Sequence, residues 1–246
     1  VGRARFMSTH RYRFFAKQHS DREWHIEGDE AEHLSRVLRL ESGSEVEVTD
    51  GRGTWAIGNI VNARGKCIQV ECSTAHLEAA PLWRITIAVG ALKPGVIDEI
   101  LPGLAELGID RILVFQQRGA AKSRLTDNAF DRWQRILINA VKQCKRATLP
   151  DLGVFGSLGD LLQQVSGTGI VLAPGSETPL FEVVTRLDRD VVLVVGGERG
   201  LDDEELALAK AAGYQAADLG PTILRAVTAT LASAALTSLR RAAAPC

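Results

Sequence analysis

Two short stretches carry the residue types that could do chemistry. Gly196-Gly197-Glu198-Arg199-Gly200 and Leu219-Gly220-Pro221-Thr222-Ile223-Leu224-Arg225 combine backbone freedom with a carboxylate and arginines. Three glycines in five residues let the backbone turn sharply and come close to a ligand with no Cβ in the way. Turn geometry alone would also account for them, because G-G-x-x-G is not the dinucleotide fingerprint G-x-G-x-x-G. A nicotinamide site is disfavoured further, since its glycine loop should follow the first strand of a domain.

The elements around these stretches say where the loops must lie. Residues 191–195 are an unbroken run of valine and leucine, long enough for a buried strand. Asp202, Asp203, Glu204 and Glu205 form the acidic first turn of a helix, which Gly213 ends. Residues 214–218 predict a second short strand, and an alanine-rich helix follows Arg225. Two loops leaving neighbouring strands would lie at the carboxyl edge of one sheet, where open α/β sheets bind ligands.

Basic residues are unevenly spread. The chain has 246 residues and a formal net charge of −1, so bulk charge announces no polyanion partner. Between Arg111 and Arg146, however, nine lysines and arginines face two acids. Such a segment is the footprint of a polyanion site. A solvated helix face explains Arg132 and Arg135 equally well, but Arg118, Lys122 and Arg124 fall in a polar loop. Arg11-Tyr12-Arg13-Phe14-Phe15 alternates basic and aromatic residues, as an RNA contact or as a strand with an apolar face and a solvated one. In residues 32–40, Leu34, Val37 and Leu38 are spaced for one helical face, which puts Arg36 and Arg39 together on another.

The four cysteines are scattered without C-x-x-C spacing or a nearby histidine pair, so no metal site is expected and a reducing cytosol fits. The longest apolar runs are too short to span a membrane. Residues 1–6 precede the only methionine, Met7, and read as an upstream extension outside the fold.

The pattern changes once along the chain. Residues 45–49, 54–60 and 66–72 read as short strands, with a strong turn at Asp50-Gly51-Arg52-Gly53. Together with one short helix they predict a small β-barrel over residues 8–76. After a linker near Pro81, strands (85–89, 111–115, 169–173) alternate with helices (96–107, 127–145). That alternation predicts an α/β domain with a mostly parallel sheet over residues 82–246.

These stretches resemble the SPOUT methyltransferases, specifically the bacterial family that methylates N3 of a uridine in 16S ribosomal RNA, the ribosomal RNA small subunit methyltransferase E family. The resemblance rests on Gly196–Leu201 set against G-P-E-G-G-[FL], and on Leu219–Ala229 set against L-G-x-[RT]-I-L-R-x-E-T-A. It extends to Arg11–Phe15, to residues 33–40, and to Arg132, Trp133, Ile136, Ala140, Gln143, Cys144, Arg146 and Pro150. It implies a PUA-like RNA-binding domain, a C-terminal trefoil knot, a homodimer, a cytoplasmic location, and ribosomal RNA or the small ribosomal subunit as partner. S-adenosyl-L-methionine would be held by Leu172, Ala173, Gly196, Gly197, Glu198, Gly200, Leu219, Gly220, Ile223 and Leu224. Arg11, Arg13, Arg36, Arg39, Arg118, Lys122 and Arg124 would contact RNA phosphates.

Methyl transfer to uracil N3 needs the two reactants positioned, the imide proton removed and the resulting anion stabilised. Arg225 is the expected anion stabiliser and Glu198 the expected proton acceptor. Glu198 enters because the glutamate of L-R-x-E-T-A is Val227 here, and 223–231 holds no acid. Arg199 stands at a glycine of the family's G-P-E-G-G. Two further functional classes follow: a catalytically weak or inactive RNA-binding paralogue, and a methyltransferase acting on another RNA.

Overall fold

The structure, a computed structural model, describes residues 11–63, 65–93, 95–118 and 125–244. The chain forms two compact units. The first comprises the chain up to Ala79 together with Val141–Leu149, and the second comprises Ala80–Ala140 and the chain from Pro150 onward.

In the first unit the strands are β1 (Arg13–Phe15), β2 (Lys17–Gln18), β3 (Glu23–Glu27), β4 (Glu45–Thr49), β5 (Thr54–Asn62), β6 (Cys67–Cys72) and β7 (His76–Leu77). They form one sheet in the order β1-β4-β5-β6-β3-β2, with β7 on β5. β1 runs parallel to β4 and the other pairs are antiparallel. One face of β3, β4 and β6 is apolar, so alternate residues enter the core: Trp24 and Ile26, Val46 and Val48, Ile68 and Val70. The alternation of Glu23-Trp24-His25-Ile26-Glu27 makes β3 a half-buried strand, a signal absent from the sequence reading above.

The segment 32–40 departs from a regular helix. α1 (Gly28–Glu32) runs directly into a π-helical turn (His33–Val37). The wider turn shifts the phase, so Leu34 is buried while Val37 is 65% exposed. Arg39 then leaves the helix with φ +53°, so Arg36 and Arg39 do not share a regular helical face.

Val141–Leu149 is tied into this unit by its own bonds. Lys142 pairs with Glu30 at 2.6 Å. Thr49 Oγ1 donates to the Ala147 carbonyl at 3.1 Å, and Leu149 N–H to the Gly51 carbonyl at 2.8 Å.

The second unit alternates strands and helices: β8 (Ile85–Gly90), α2 (Val96–Glu106), β9 (Arg111–Phe115), α3 (Asp127–Cys144), β10 (Asp151–Phe155), α4 (Leu158–Leu162), β11 (Thr168–Leu172), α5 (Leu180–Thr185), β12 (Val191–Val195), α6 (Asp203–Ala211), β13 (Gln215–Ala217) and α7 (Ala226–Ala242). The sheet order is β10-β9-β8-β12-β11-β13, and every pair is parallel. All residues of β8 and β12 are buried, as expected where helices cover both faces. The chain builds outward from β8 to β10, then returns to the other side of β8. The β8/β12 junction is therefore the switch point of the sheet. There the chains are too close for side chains: a Cβ on Gly90 would come within 2.7 Å of Gly197 N.

A candidate active site at the carboxyl edge of the parallel sheet

Three loops leave the sheet side by side. They follow β11, β12 and β13, and β11 lies between the other two strands. The two glycine loops therefore do not leave neighbouring strands as expected; the loop after Leu172 separates them. Residues 172–174, 195–201, 217–219 and 222–224, with Leu206, Ala226 and Ala229, enclose a cavity of about 430 Å³. That volume is in the range of small-molecule sites, roughly 300–1,000 Å³.

Side-chain and backbone bonds fix the loops. Asp218 takes Gly175 N–H on Oδ2 at 2.7 Å and Gly220 N–H on Oδ1 at 3.2 Å. One carboxylate thus ties the first loop to the third. The middle loop closes on itself through Gly200 N–H to the Gly197 carbonyl at 3.0 Å. Asp202 caps α6 by accepting Glu205 N–H at 2.8 Å, and Glu205 accepts Asp202 N–H in return at 3.1 Å.

Gln117, two residues beyond β9, grips the same loop. Its Oε1 accepts Gly197 N–H at 2.9 Å. Its Nε2 donates to Glu205 Oε2 at 3.0 Å and to the Gly200 carbonyl. Glu205 is only 4% exposed and also accepts Arg118 N–H at 3.2 Å. Neither residue was singled out from the sequence. The spacing Asp202-x-x-Glu205 is that of a capping box and marks Glu205 apart from its acidic neighbours. Gln117 follows an apolar strand like any loop residue, and nothing local signals its burial.

Of the expected cofactor residues, Leu172, Ala173, Gly196, Gly197, Glu198, Gly200, Leu219, Ile223 and Leu224 all line the cavity. Gly220 does not; its glycine character answers to φ +135°, with nothing within 4 Å of where a Cβ would be. Of the expected catalytic pair, Glu198 lines the cavity and its Oε1 accepts Lys93 N–H at 2.6 Å. Arg225 is the exposed residue preceding α7 and is outside the cavity lining, because the backbone turns there into the helix. Arg199, Asp218 and Thr222, which belong to the loops that the resemblance assigns to the cofactor, line the cavity as well.

The expected RNA-contacting arginines are placed unevenly. Arg13 is 8% exposed, bonds Glu47 Oε2 at 3.0 Å and the Lys145 carbonyl at 2.6 Å, and lies over the Trp55 ring. Those bonds make it structural, not a phosphate ligand. Arg11 is ion-paired with Glu45, and the exposed Arg36 with Glu32. Arg39 is exposed on its left-handed turn. Arg118 is exposed and paired with Glu204 at the start of α6. Lys122 and Arg124 lie outside the described residues.

No metal ligands were expected. Among the described residues, His19, His25 and Glu27 bring one ligand atom each within 4.8 Å of one another on the first unit. They are engaged there by Glu23, bonded to His25 at 2.7 Å, and by Lys17, bonded to Glu27 at 2.6 Å. No described helix is long and apolar enough to cross a membrane.

Residues 78–238 match the family described as an RNA methyltransferase domain, and residues 26–71 match an RNA methyltransferase PUA domain. The class is thus an RNA methyltransferase with a PUA-like domain ahead of a parallel α/β domain. The ribosomal RNA small subunit methyltransferase E of Synechocystis is 32% identical over 84% of this chain and 70% of its own length. Its namesake in Mycobacterium bovis is 28% identical over 86% and 83%. Among solved structures, a methyltransferase from Legionella pneumophila in complex with S-adenosylmethionine has a TM-score of 0.83 at 22% identity, covering 95% of this chain and 98% of its own. A probable rRNA methyltransferase from Porphyromonas gingivalis has a TM-score of 0.82 at 26% identity, covering 94% and 98%. The chain belongs to the ribosomal RNA small subunit methyltransferase E family.

Proposed function

We propose that this protein transfers a methyl group from S-adenosylmethionine to N3 of a uridine in 16S ribosomal RNA. The observation that carries the reading is the cavity enclosed by the loops after β11, β12 and β13. Its lining suits such a cofactor. Leu172, Leu219, Ile223 and Leu224 offer apolar contact for an adenine ring, and the glycine loop offers backbone groups where side chains would intrude. The family includes a structure from Neisseria gonorrhoeae bound to S-adenosyl methionine. When bound, the cofactor supplies an electrophilic methyl group on a sulfonium.

The chain's own task is then positional. The three loops hold the cofactor, Glu198 stands at the cavity as a carboxylate, and the PUA-like unit engages RNA in the assembled small subunit. The reading also includes a trefoil-knotted backbone path, a homodimer and a cytosolic location. One experiment tests it. The protein is titrated calorimetrically with S-adenosylmethionine, then given small ribosomal subunits from cells lacking the native enzyme. Saturable binding and N3-methyluridine in the digested RNA support the reading; a methyl group on another atom or another RNA overturns it.

A catalytically weak RNA-binding paralogue is favoured by one observation. Val227, where the resemblance leads to a glutamate, is a half-buried aliphatic side chain in the first turn of α7. Binding of RNA without cofactor binding would support that second reading.

A further inference from the structure

The solvated face of β3 gathers side chains that ligate metal ions. Glu23, His25 and Glu27 alternate with the buried Trp24 and Ile26, so all three point away from the core. In the β2–β3 hairpin Lys17 is the register partner of His25, and His19 N–H donates to the Glu23 carbonyl at 2.8 Å. That turn sets the His19 ring against the His25 ring, with centroids 3.9 Å apart. One ligand atom each of His19, His25 and Glu27 lies within 4.8 Å of the other two.

The existing partners of these groups favour a cation. Glu23 Oε1 is bonded to His25 Nε2 at 2.7 Å and accepts from Gln69 Nε2 at 3.1 Å. A carboxylate only accepts, so Nε2 carries the proton and Nδ1 the lone pair. A carboxylate behind an imidazole is the usual outer partner of a ligating histidine, because it fixes the tautomer and the ring and raises the basicity of the other nitrogen. Lys17 Nζ lies 2.6 Å from Glu27 Oε2. The Lys17 ammonium holds the Glu27 carboxyl below its ordinary range, with smaller help from His19 and His25. The cluster thus already attracts one cation. The Lys17 side chain is 73% exposed, and an ion pair so exposed is weak enough for a divalent ion to displace it. Glu71, the register partner of Glu23 on β6, adds a further carboxylate to the same face.

Two imidazoles and a carboxylate are the donor set of a borderline divalent ion such as Zn²⁺, whereas Mg²⁺ and Ca²⁺ take oxygen ligands. Ligand atoms about 2.1 Å from a tetrahedral ion stand roughly 3.4 Å apart. Small rotations of side chains with solvent on one side close the present spacing to that value.

We propose that His19, His25 and Glu27 form a binding site for a divalent transition ion of the Zn²⁺ type, with Glu23 orienting His25 and the ion standing where the Lys17 ammonium now pairs. Water completes the shell. β2 is a two-residue strand at the edge of the sheet, held there by its pairing with β3. The ion ties the residue after β2 to two residues of β3 and so clips that edge in place. Methyl transfer at the other unit plays no part in this inference.

The test titrates Zn²⁺ calorimetrically into the full chain after treatment with a chelator, with Mg²⁺ as the comparison ion. Saturable binding of one Zn²⁺ and none of Mg²⁺ is expected. His25→Ala and Glu27→Gln should each weaken Zn²⁺ by about tenfold or more, and Glu23→Gln by roughly ten- to a hundredfold. Lys17→Ala should tighten it several-fold by removing the competing cation. His33→Ala, at an exposed histidine of the π-helical turn, should change nothing. Zn²⁺ should also slow hydrogen exchange of the His19 amide, which the hairpin bonds to Glu23. No Zn²⁺ binding at millimolar concentration overturns the proposal. So does affinity indifferent to His25→Ala and Glu27→Gln, which puts the ion elsewhere, and so does a Lys17→Ala variant that binds no tighter than the parent. Because Lys17→Ala acts in the opposite direction from the other changes, loss of folding cannot reproduce the expected pattern.

Discussion

Gln117 Nε2 donates to Glu205 Oε2 at 3.0 Å across 88 residues of chain. The bond joins the end of β9 to the first turn of α6, and it braces the loop after β12 that lines the cavity. Replacing Gln117 with alanine leaves a buried carboxylate oxygen and the Gly197 N–H without this partner. An unsatisfied buried group costs about 1–3 kcal/mol. Gln117→Ala should therefore lower the denaturation midpoint and weaken S-adenosylmethionine binding at least several-fold. Denaturant unfolding and calorimetry check both, and wild-type values in both would show that the loop holds its shape unaided.

Gly197 and Gly220 should fail for different reasons when changed to alanine. A Cβ on Gly197 would meet Gln117 Oε1 at 2.5 Å, while one on Gly220 meets nothing but sits at φ +135°. Gly197→Ala should thus displace Gln117 and weaken cofactor binding. Gly220→Ala should cost roughly 1 kcal/mol or more of stability through backbone strain, with a smaller effect on affinity. Equal affinity losses at both positions would mean that Gly220 approaches the cofactor after all.

How far the sequence could be read shows in these two glycines. Both stood out by type and spacing, and the buried strand before Gly197 was legible as an apolar run with the bounds observed, Val191–Val195, whereas the strand before Gly220, expected over 214–218, is the shorter and partly exposed Gln215–Ala217. Elements that make their case within a few residues are readable that way. Gln117 and Arg13 are different. Their roles come from partners 34 to 132 residues away, and a single strand of text does not carry such distances. The π-helical turn at His33–Val37 defeated the helical periodicity for the opposite reason, since a purely local change in winding shifted the phase.

Charge removal should sort the arginines. Arg36→Gln, Arg39→Gln and Arg118→Gln should each flatten the salt dependence of ribosomal RNA affinity by about one unit of log–log slope if that side chain meets a phosphate. Arg13→Gln should leave the slope alone and instead destabilise the first unit, since breaking a buried ion pair costs on the order of 3 kcal/mol. Binding titrations over a salt series, alongside thermal melts, separate the two kinds. A slope change for Arg13→Gln with an unchanged melt would reverse its assignment.

One buried and one partly buried acid, Cys72 and Tyr214, should weaken the fold at alkaline pH. Burial pushes the Cys72 thiol up to about 11 from 9.0, and the Tyr214 hydroxyl up to about 12 from 10.0. Each group is held neutral when folded, so its stabilising effect is complete below the unfolded value and is lost as pH rises through the folded one. Stability should therefore fall from about pH 9 upward for the first unit and from about pH 10 upward for the second. Cys72→Ala and Tyr214→Phe should each flatten the decline in their own unit. Phenylalanine keeps the ring that lies against Gly169, where a Cβ would come within 2.5 Å of it. Denaturant midpoints measured from pH 8 to 12 provide the check; variants as alkali-sensitive as the parent would contradict it.

The tie between Val141–Leu149 and the first unit sets an order of events during synthesis. The N-terminal sheet emerges from the ribosome first, yet Thr49, Gly51 and Glu30 wait for partners at Ala147, Leu149 and Lys142. By then β8, α2, β9 and α3 have also been made, while β11, β12 and β13, whose loops enclose the cavity at the carboxyl edge, have not. The leading unit thus completes itself only around an unfinished successor. The nascent chain must keep residues 80–140 from misassembling until the rest of their sheet arrives.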